Sequence, residues 1–283
     1  MQVIGVVGAG TMGHGIAQVC AMAGFEVRLT DNDSAGLAHG MDKLRANLDK
    51  GVAKGKVTEA VRESALANLR STPGIGEMAD GADLIIEAIP EVLDWKQALF
   101  ENLQDEAPEH CIFGTNTSSI SVGTIASELR DPSRVIGTHF FNPVHIMALL
   151  ELIVADTTRE DVVDATKAFA ERIGKQAIVV QDFPGFATSR LGVCLGMEAI
   201  RMVEQGVASP ADIDKAMTLG YRHPMGPLRL TDLVGLDVRM KIGEYLATEL
   251  SNPAFEPPAL MRQMVADGKL GKKSGVGFYL WNS

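Results

Sequence analysis

Through residues 2–183, short apolar runs closed by glycine, acid or proline alternate with stretches of helical spacing, and this alternation predicts a doubly wound α/β sheet of Rossmann type. Gln2 to Val7 is the first run, GAGTMG follows at once, Ile16 to Ala23 is helical in composition, and Gly24 ends that helix before a second strand, Glu26 to Thr30. The order then changes. Leu37, Met41, Leu44, Leu48 and Val52 recur at helical spacing, and a second helical stretch runs from Thr58 to Leu69, so a helical pair is inserted before the next strand. The stretch 83–89, DLIIEAI, reads as a buried parallel strand, and Cys111 to Thr115 and Val135 to Thr138 read as two more. A helix over Arg159 to Gly174 and a strand over Gln176 to Val180 complete a first domain expected to span residues 1–183, with Pro184-Gly185 as the boundary to a second domain, 184–283. Helices dominate that second domain, and a strand pattern returns only at Gly277 to Leu280. Leu191 to Val203 is apolar nearly all round its helical projection, which predicts burial on several sides and a second copy of the chain to provide it.

Two constellations carry chemistry. The first is Gly8, Gly10 and Gly13 with Thr11 and Met12 between them, a G-x-G-x-x-G set between a strand and a helix. The first glycine permits a tight turn, the second lets backbone approach a pyrophosphate, and the third lets helix pack on strand. Asp31 stands at the end of the second strand, eighteen positions past Gly13, where a carboxylate takes ribose hydroxyls and repels a 2′-phosphate; the expected cofactor is NAD. The bland alternative is a glycine turn with Asp31 as an ordinary surface residue. The second constellation lies in the stretch 134–151, where His139 ends a β-branched run, Asn142-Pro143 breaks the chain, and Glu151 stands alone in an apolar segment. A glutamate holding one ring nitrogen while the other faces substrate is a general-base arrangement. A buried histidine satisfied by a nearby acid for structural reasons fits the same residues. Glu91, Lys96 and the run Asn116-Thr117-Ser118-Ser119 follow strands on the same ligand-facing rim, although the run also suits helix capping. Lys50, Lys54 and Lys56 are either solvated helix-end lysines or a site for a ligand phosphate. His223 is a weaker candidate base, with no spaced acid to frame it.

Composition narrows the partners. A formal net charge of -10 argues against broad electrostatic binding to nucleic acid or an anionic membrane, and no apolar run approaches the ~18 residues of a membrane helix. Cys20, Cys111 and Cys194 are too dispersed for a zinc or disulfide framework, so no metal is expected and the reading is a reduced, cytoplasmic setting.

Taken together, GAGTMG, EAIPE with Lys96, NTSS, HFFNPVHIMALLE and the later PGF segment resemble the short-chain L-3-hydroxyacyl-CoA dehydrogenase family, and within it the bacterial 3-hydroxybutyryl-CoA group. The likeness covers essentially the whole chain. Its most specific part is HFFNP with a glutamate twelve positions past the histidine. The resemblance implies NAD-dependent oxidation of the 3-hydroxyl of a short-chain (S)-3-hydroxyacyl-CoA, with His139 as base, Glu151 orienting it, and Ser118 and Asn142 at the substrate oxygen. It implies cofactor contacts at Asp31, Glu91, Lys96 and Asn116 beside the glycine loop. Coenzyme A is expected at the inserted helical pair through Lys54 and Lys50, and a homodimer through the second domain. One position departs: Ser189 stands in PGFATSR where the family carries asparagine, which leaves open a related dehydrogenase of a free hydroxy acid or carnitine. A non-catalytic NAD-binding structural protein would share the glycine loop but need neither His139 nor Glu151.

Overall fold

Seven apolar runs become strands because they carry β-branched residues and are too short to close a stable helix, and an eighth strand, Leu69–Ser71, forms by pairing at the sheet edge. The computed structural model describes residues 1–281 and places them as β1 (Val3–Val7), β2 (Glu26–Thr30), β3 (Leu69–Ser71), β4 (Leu84–Glu87), β5 (Ile112–Thr115), β6 (Val135–Phe140), β7 (Leu149–Val154) and β8 (Gln176–Gln181). They form one sheet in the order β3-β2-β1-β4-β5-β6-β7-β8. Neighbours are parallel except β6 and β7, which run antiparallel. The reason is local, since residues 141–148 are too few for a parallel crossover of about a dozen residues. The helices of this unit are α1 (Gly13–Met22), α2 (Ser34–Ala53), α3 (Glu59–Ala67), α4 (Ile75–Ala79), α5 (Leu93–Glu106), α6 (Val122–Ala126) and α7 (Glu160–Arg172). Asp33 and Thr58 cap α2 and α3 with side-chain oxygens, which fixes where the inserted pair begins each helix.

The chain divides into two compact units, the first Met1–Phe183 and the second from Pro184 onward. The second is built of α8 (Thr188–Glu204), α9 (Pro210–Lys215), α10 (Pro227–Val234), α11 (Leu236–Glu249) and α12 (Ala259–Ala266). Its core gathers Val193, Met197, Ile200, Leu228, Leu236 and Met261. Asp232, fully buried, accepts from the Phe278 and Tyr279 backbone N–H groups and from the Trp281 indole, and so ties the C-terminal segment to α10. Among the described residues no helix is long and apolar enough to cross a membrane.

Three local expectations are corrected. The second inserted helix ends at Ala67 rather than reaching Leu69, because Leu69–Ser71 pairs with β2 as an edge strand. The short helix α4 that follows has too few residues to show a period. Gly277 to Leu280 is no strand but enters only isolated bridges, the Phe278 and Tyr279 N–H groups being taken by Asp232. Helix α8 buries one face and exposes another, on which Leu191 is 72% accessible and Cys194 and Glu198 are also exposed.

Candidate active site

The glycine loop sits at the carboxyl end of β1, and its three glycines meet three different demands. Gly8 has φ +97°, and a Cβ there would stand 2.6 Å from the Ala88 carbonyl oxygen. Gly13 packs so closely that a Cβ would overlap the Gly8 carbonyl oxygen at 1.6 Å. A Cβ on Gly10 would meet nothing within 4 Å, which leaves open space for a ligand to approach backbone. Among the described residues no side chain caps the N-terminus of α1, and no acid lies in its first turn, so this helix end suits a phosphate, although the His14 N–H turns back to the Gly10 carbonyl at 3.3 Å. Met12 occupies the N-cap position and Thr11 is exposed beside it. Asp31, one residue past β2, accepts from the Ala9 N–H at 2.7 Å and from the Asp33 N–H at 3.0 Å. Asp31 and Thr11 border a cleft of about 990 Å³, together with Gly10, Met12, Ile89 and Leu99. The residues present fit a dinucleotide.

A buried polar network lies at the next two strand ends. Glu87 closes β4 with no exposure; its carboxylate accepts from Lys96 Nζ at 2.6 Å, Thr115 Oγ1 at 2.7 Å and the Ile89 N–H at 2.7 Å. Burial pushes the Glu87 carboxyl up, more than the Lys96 charge and these hydrogen bonds pull it down. Glu91 lies 3.2 Å from the same ammonium and accepts from Thr117 Oγ1 at 2.7 Å and the N–H groups of Ser118 and Ser119 at 2.8 and 3.0 Å. Burial opposes its ionisation, yet Lys96 and these donors together hold it below the usual carboxylate range. The Ser118 hydroxyl donates to it at 3.2 Å, and Lys96 itself is wholly buried between the two carboxylates. Asn116 accepts the Phe140 N–H at 2.9 Å, bracing β6 one residue beyond His139. Sequence reasoning missed Glu87 and Thr115. An acid closing a fully apolar strand, nine positions before a lysine, was the available signal.

The hairpin of β6 and β7 sets His139 directly opposite Glu151 in the register. His139 Nδ1 lies 2.7 Å from Glu151 Oε2; the carboxylate is fully buried and the imidazole 9% exposed. The Phe141 ring packs 4.5 Å from the imidazole, centroid to centroid. Cross-strand partners on one face need no loop to hold them, so the ring's orientation is set by the sheet itself. Asn142 follows β6, joined to Pro143 by a cis peptide, and is exposed. Lys50 lies in the last turn of α2 and Lys54 is its C-cap, both exposed. Ser189 lies in the first turn of α8, in the second unit. His223 is in the second unit as well, 6.5 Å from the Tyr221 ring.

A parallel sheet with a glycine loop at its first strand and an acid after its second defines a nicotinamide-dinucleotide-binding protein. The chain belongs to the 3-hydroxyacyl-CoA dehydrogenase family: residues 3–183 match the family model for its NAD binding domain, and residues 185–281 the model for its C-terminal domain. It is 43% identical over 274 residues to a probable 3-hydroxybutyryl-CoA dehydrogenase of Bacillus subtilis, covering 97% of this chain and 95% of that one. Against the 3-hydroxybutyryl-CoA dehydrogenase of Mycobacterium tuberculosis the identity is 42%, over 99% of each chain. The crystal structure of (S)-3-hydroxybutyryl-CoA dehydrogenase from Ralstonia eutropha superposes with a TM-score of 0.95 at 40% identity, covering 100% of both chains.

Proposed function

We propose that the protein is an NAD-dependent dehydrogenase of short-chain (S)-3-hydroxyacyl-CoA thioesters, 3-hydroxybutyryl-CoA foremost, and that His139 is its general base. The observation that carries this reading is the opposed His139–Glu151 pair at the carboxyl end of β6, on the strand rim that also bears the glycine loop. With Nδ1 held by the carboxylate, Nε2 is the nitrogen presented to substrate. In the oxidation direction it accepts the proton of the 3-hydroxyl as the carbon–oxygen bond becomes a carbonyl. The bound NAD supplies the hydride acceptor. Glu151 stabilises the imidazolium that results, and in reduction the same imidazolium returns the proton. Ser118 and Asn142 hold the substrate oxygen, and Lys54 with Lys50 meets the phosphates of coenzyme A. Glu91 and Asn116 border the cofactor, with Lys96 holding the Glu91 carboxylate in place.

Ser189 keeps a donor and an acceptor where the family carries an amide, but on a shorter side chain. The discriminating assay follows NADH absorbance with acetoacetyl-CoA, a longer 3-ketoacyl-CoA and free acetoacetate. Acetoacetyl-CoA is expected to give the highest kcat/KM; a preference for the free acid would transfer the assignment to a hydroxy-acid dehydrogenase. Cofactor choice gives a second test. Wild type is expected to favour NADH over NADPH by on the order of 100-fold in kcat/KM, because the Asp31 carboxylate repels the additional phosphate, and Asp31→Ser should narrow that gap. Equal use of both cofactors by wild type would remove Asp31 from the ribose.

The reading extends to a cytoplasmic homodimer. Leu191, Leu233, Val234 and Val238 leave apolar surface on α8, α10 and α11 at 72%, 44%, 42% and 41% exposure, and a second copy of the same unit is the partner that covers it.

A further inference from the structure

Lys175, outside the site, reaches the loop between the two halves of the His139–Glu151 pair. It stands between α7 and β8, after Gly174, whose φ of +71° ends the helix. Its ammonium donates to the carbonyl oxygens of Val144 and, at 2.6 Å, of Met147, and the N–H of the next residue, Gln176, donates to the Ala148 carbonyl at 2.8 Å. Among the described residues no carboxylate pairs with it, and burial lowers its pKa. A half-buried lysine spent on two backbone carbonyls contributes geometry rather than an ion pair. The loop it holds runs from Asn142 to Ala148 and is also closed by hydrogen bonds from the Ile146 and Met147 N–H groups to the Pro143 carbonyl. On its other side the loop rests on α1. A Cβ on Gly15 would stand 2.9 Å from the Val144 Cβ, so the glycine lets the valine seat on the helix whose N-terminus faces the cofactor cleft.

We propose that Lys175 is a positioning residue for catalysis: by clamping the 144 and 147 carbonyls it seats the hairpin loop on α1, and so fixes Asn142 and the His139–Glu151 hairpin relative to the cofactor helix. The inference rests on the reading of that hairpin as the catalytic element. Lys175 touches neither substrate nor cofactor. Its loss lets the loop lift from α1, and a displacement of ~1 Å at reacting groups costs on the order of 100-fold in rate.

The test compares Lys175→Met and Lys175→Arg with wild type in kcat and KM for acetoacetyl-CoA, in NADH affinity by fluorescence, and in Tm. Lys175→Met is expected to lower kcat roughly 10- to 100-fold while NADH affinity stays within about twofold and Tm within a few degrees. Lys175→Arg, which also donates to two carbonyls, should recover most of the rate. A methionine variant with wild-type kcat overturns the proposal, and so does one in which kcat, NADH affinity and Tm fall together, the mark of a merely structural lysine. If Lys175→Met yields no folded protein, Lys175→Gln, with one donor group left, is read by the same split. His139→Ala is assayed alongside. Activity surviving in that variant would sink the catalytic reading itself, whereas an inactive His139→Ala beside a fully active Lys175→Met would sink only the role given to Lys175.

Discussion

His139→Ala is expected to lower kcat for acetoacetyl-CoA reduction by ~10²- to 10⁴-fold, the range for loss of a general acid–base group, and to leave NADH affinity within about twofold. The split follows from where the residues stand. His139 belongs to β6, whereas the glycine loop and Asp31 belong to β1 and β2, on the far side of β4 and β5. Truncating the imidazole removes the proton carrier without touching the cleft that Gly10 leaves open. Glu151→Gln should fall between the alanine variant and wild type. The amide can present its NH₂ group to Nδ1, which favours the wrong tautomer, and it no longer balances an imidazolium in a fully buried position. Turnover near wild type in both variants would return the pair to the bland reading, a buried histidine satisfied by an acid.

What the chain discloses before folding depends on how local each signal is. The glycine loop, the strand before it and Asp31 lie within one short stretch, so the parallel sheet and its dinucleotide cleft can be read from residue order. The alternation of apolar runs with helical spacing continues far enough to indicate the remaining central strands. Strand β3 and helix α4 are three and five residues long, too short for a period to register. The reversal of β6 against β7 is hidden for another reason: it follows from a connection too short to cross over, and becomes visible only once both strands are placed. The same holds for the candidate site. His139 and Glu151 stand out because a lone acid in an apolar run demands a partner. Glu87 offers the same kind of signal, an acid closing an apolar strand nine positions before Lys96, whereas Thr115 and Lys175 do not, since their partners lie on other elements and no spacing in the chain announces them. Ser189 could be singled out only as a departure from a family pattern, and its meaning rests on an assay.

Lys96→Met is expected to cost ~3–5 kcal/mol of stability, the scale for removing one partner of a buried ion pair. For a unit of this size that corresponds to a fall in Tm of about 10 °C. The size of the effect turns on Glu87, which has no exposure and would keep only Thr115 Oγ1 and the Ile89 N–H as donors. Burial already holds this carboxyl above its ordinary value with Lys96 in place, and without the ammonium it rises further. A carboxyl whose folded pKa exceeds its unfolded one binds more protons in the native state, so stability falls as pH rises between the two values. The deficit of Lys96→Met should therefore be larger at pH 8 than at pH 5. Glu91 responds in the opposite sense. Its folded pKa is depressed, so its contribution is present above the unfolded value and is lost as pH falls through the folded one. In the variant its carboxylate loses the Lys96 charge but still receives the Thr117, Ser118 and Ser119 donors. Adding Glu87→Gln to Lys96→Met removes the stranded charge and should recover more than half of the lost stability and flatten the pH dependence, at no gain in catalysis. Thermal unfolding of the single and double variants across pH 5 to 8 decides the matter. A single variant within ~1 kcal/mol of wild type, or a double variant no more stable than the single, would show that the Glu87 charge is not what Lys96 is there to balance.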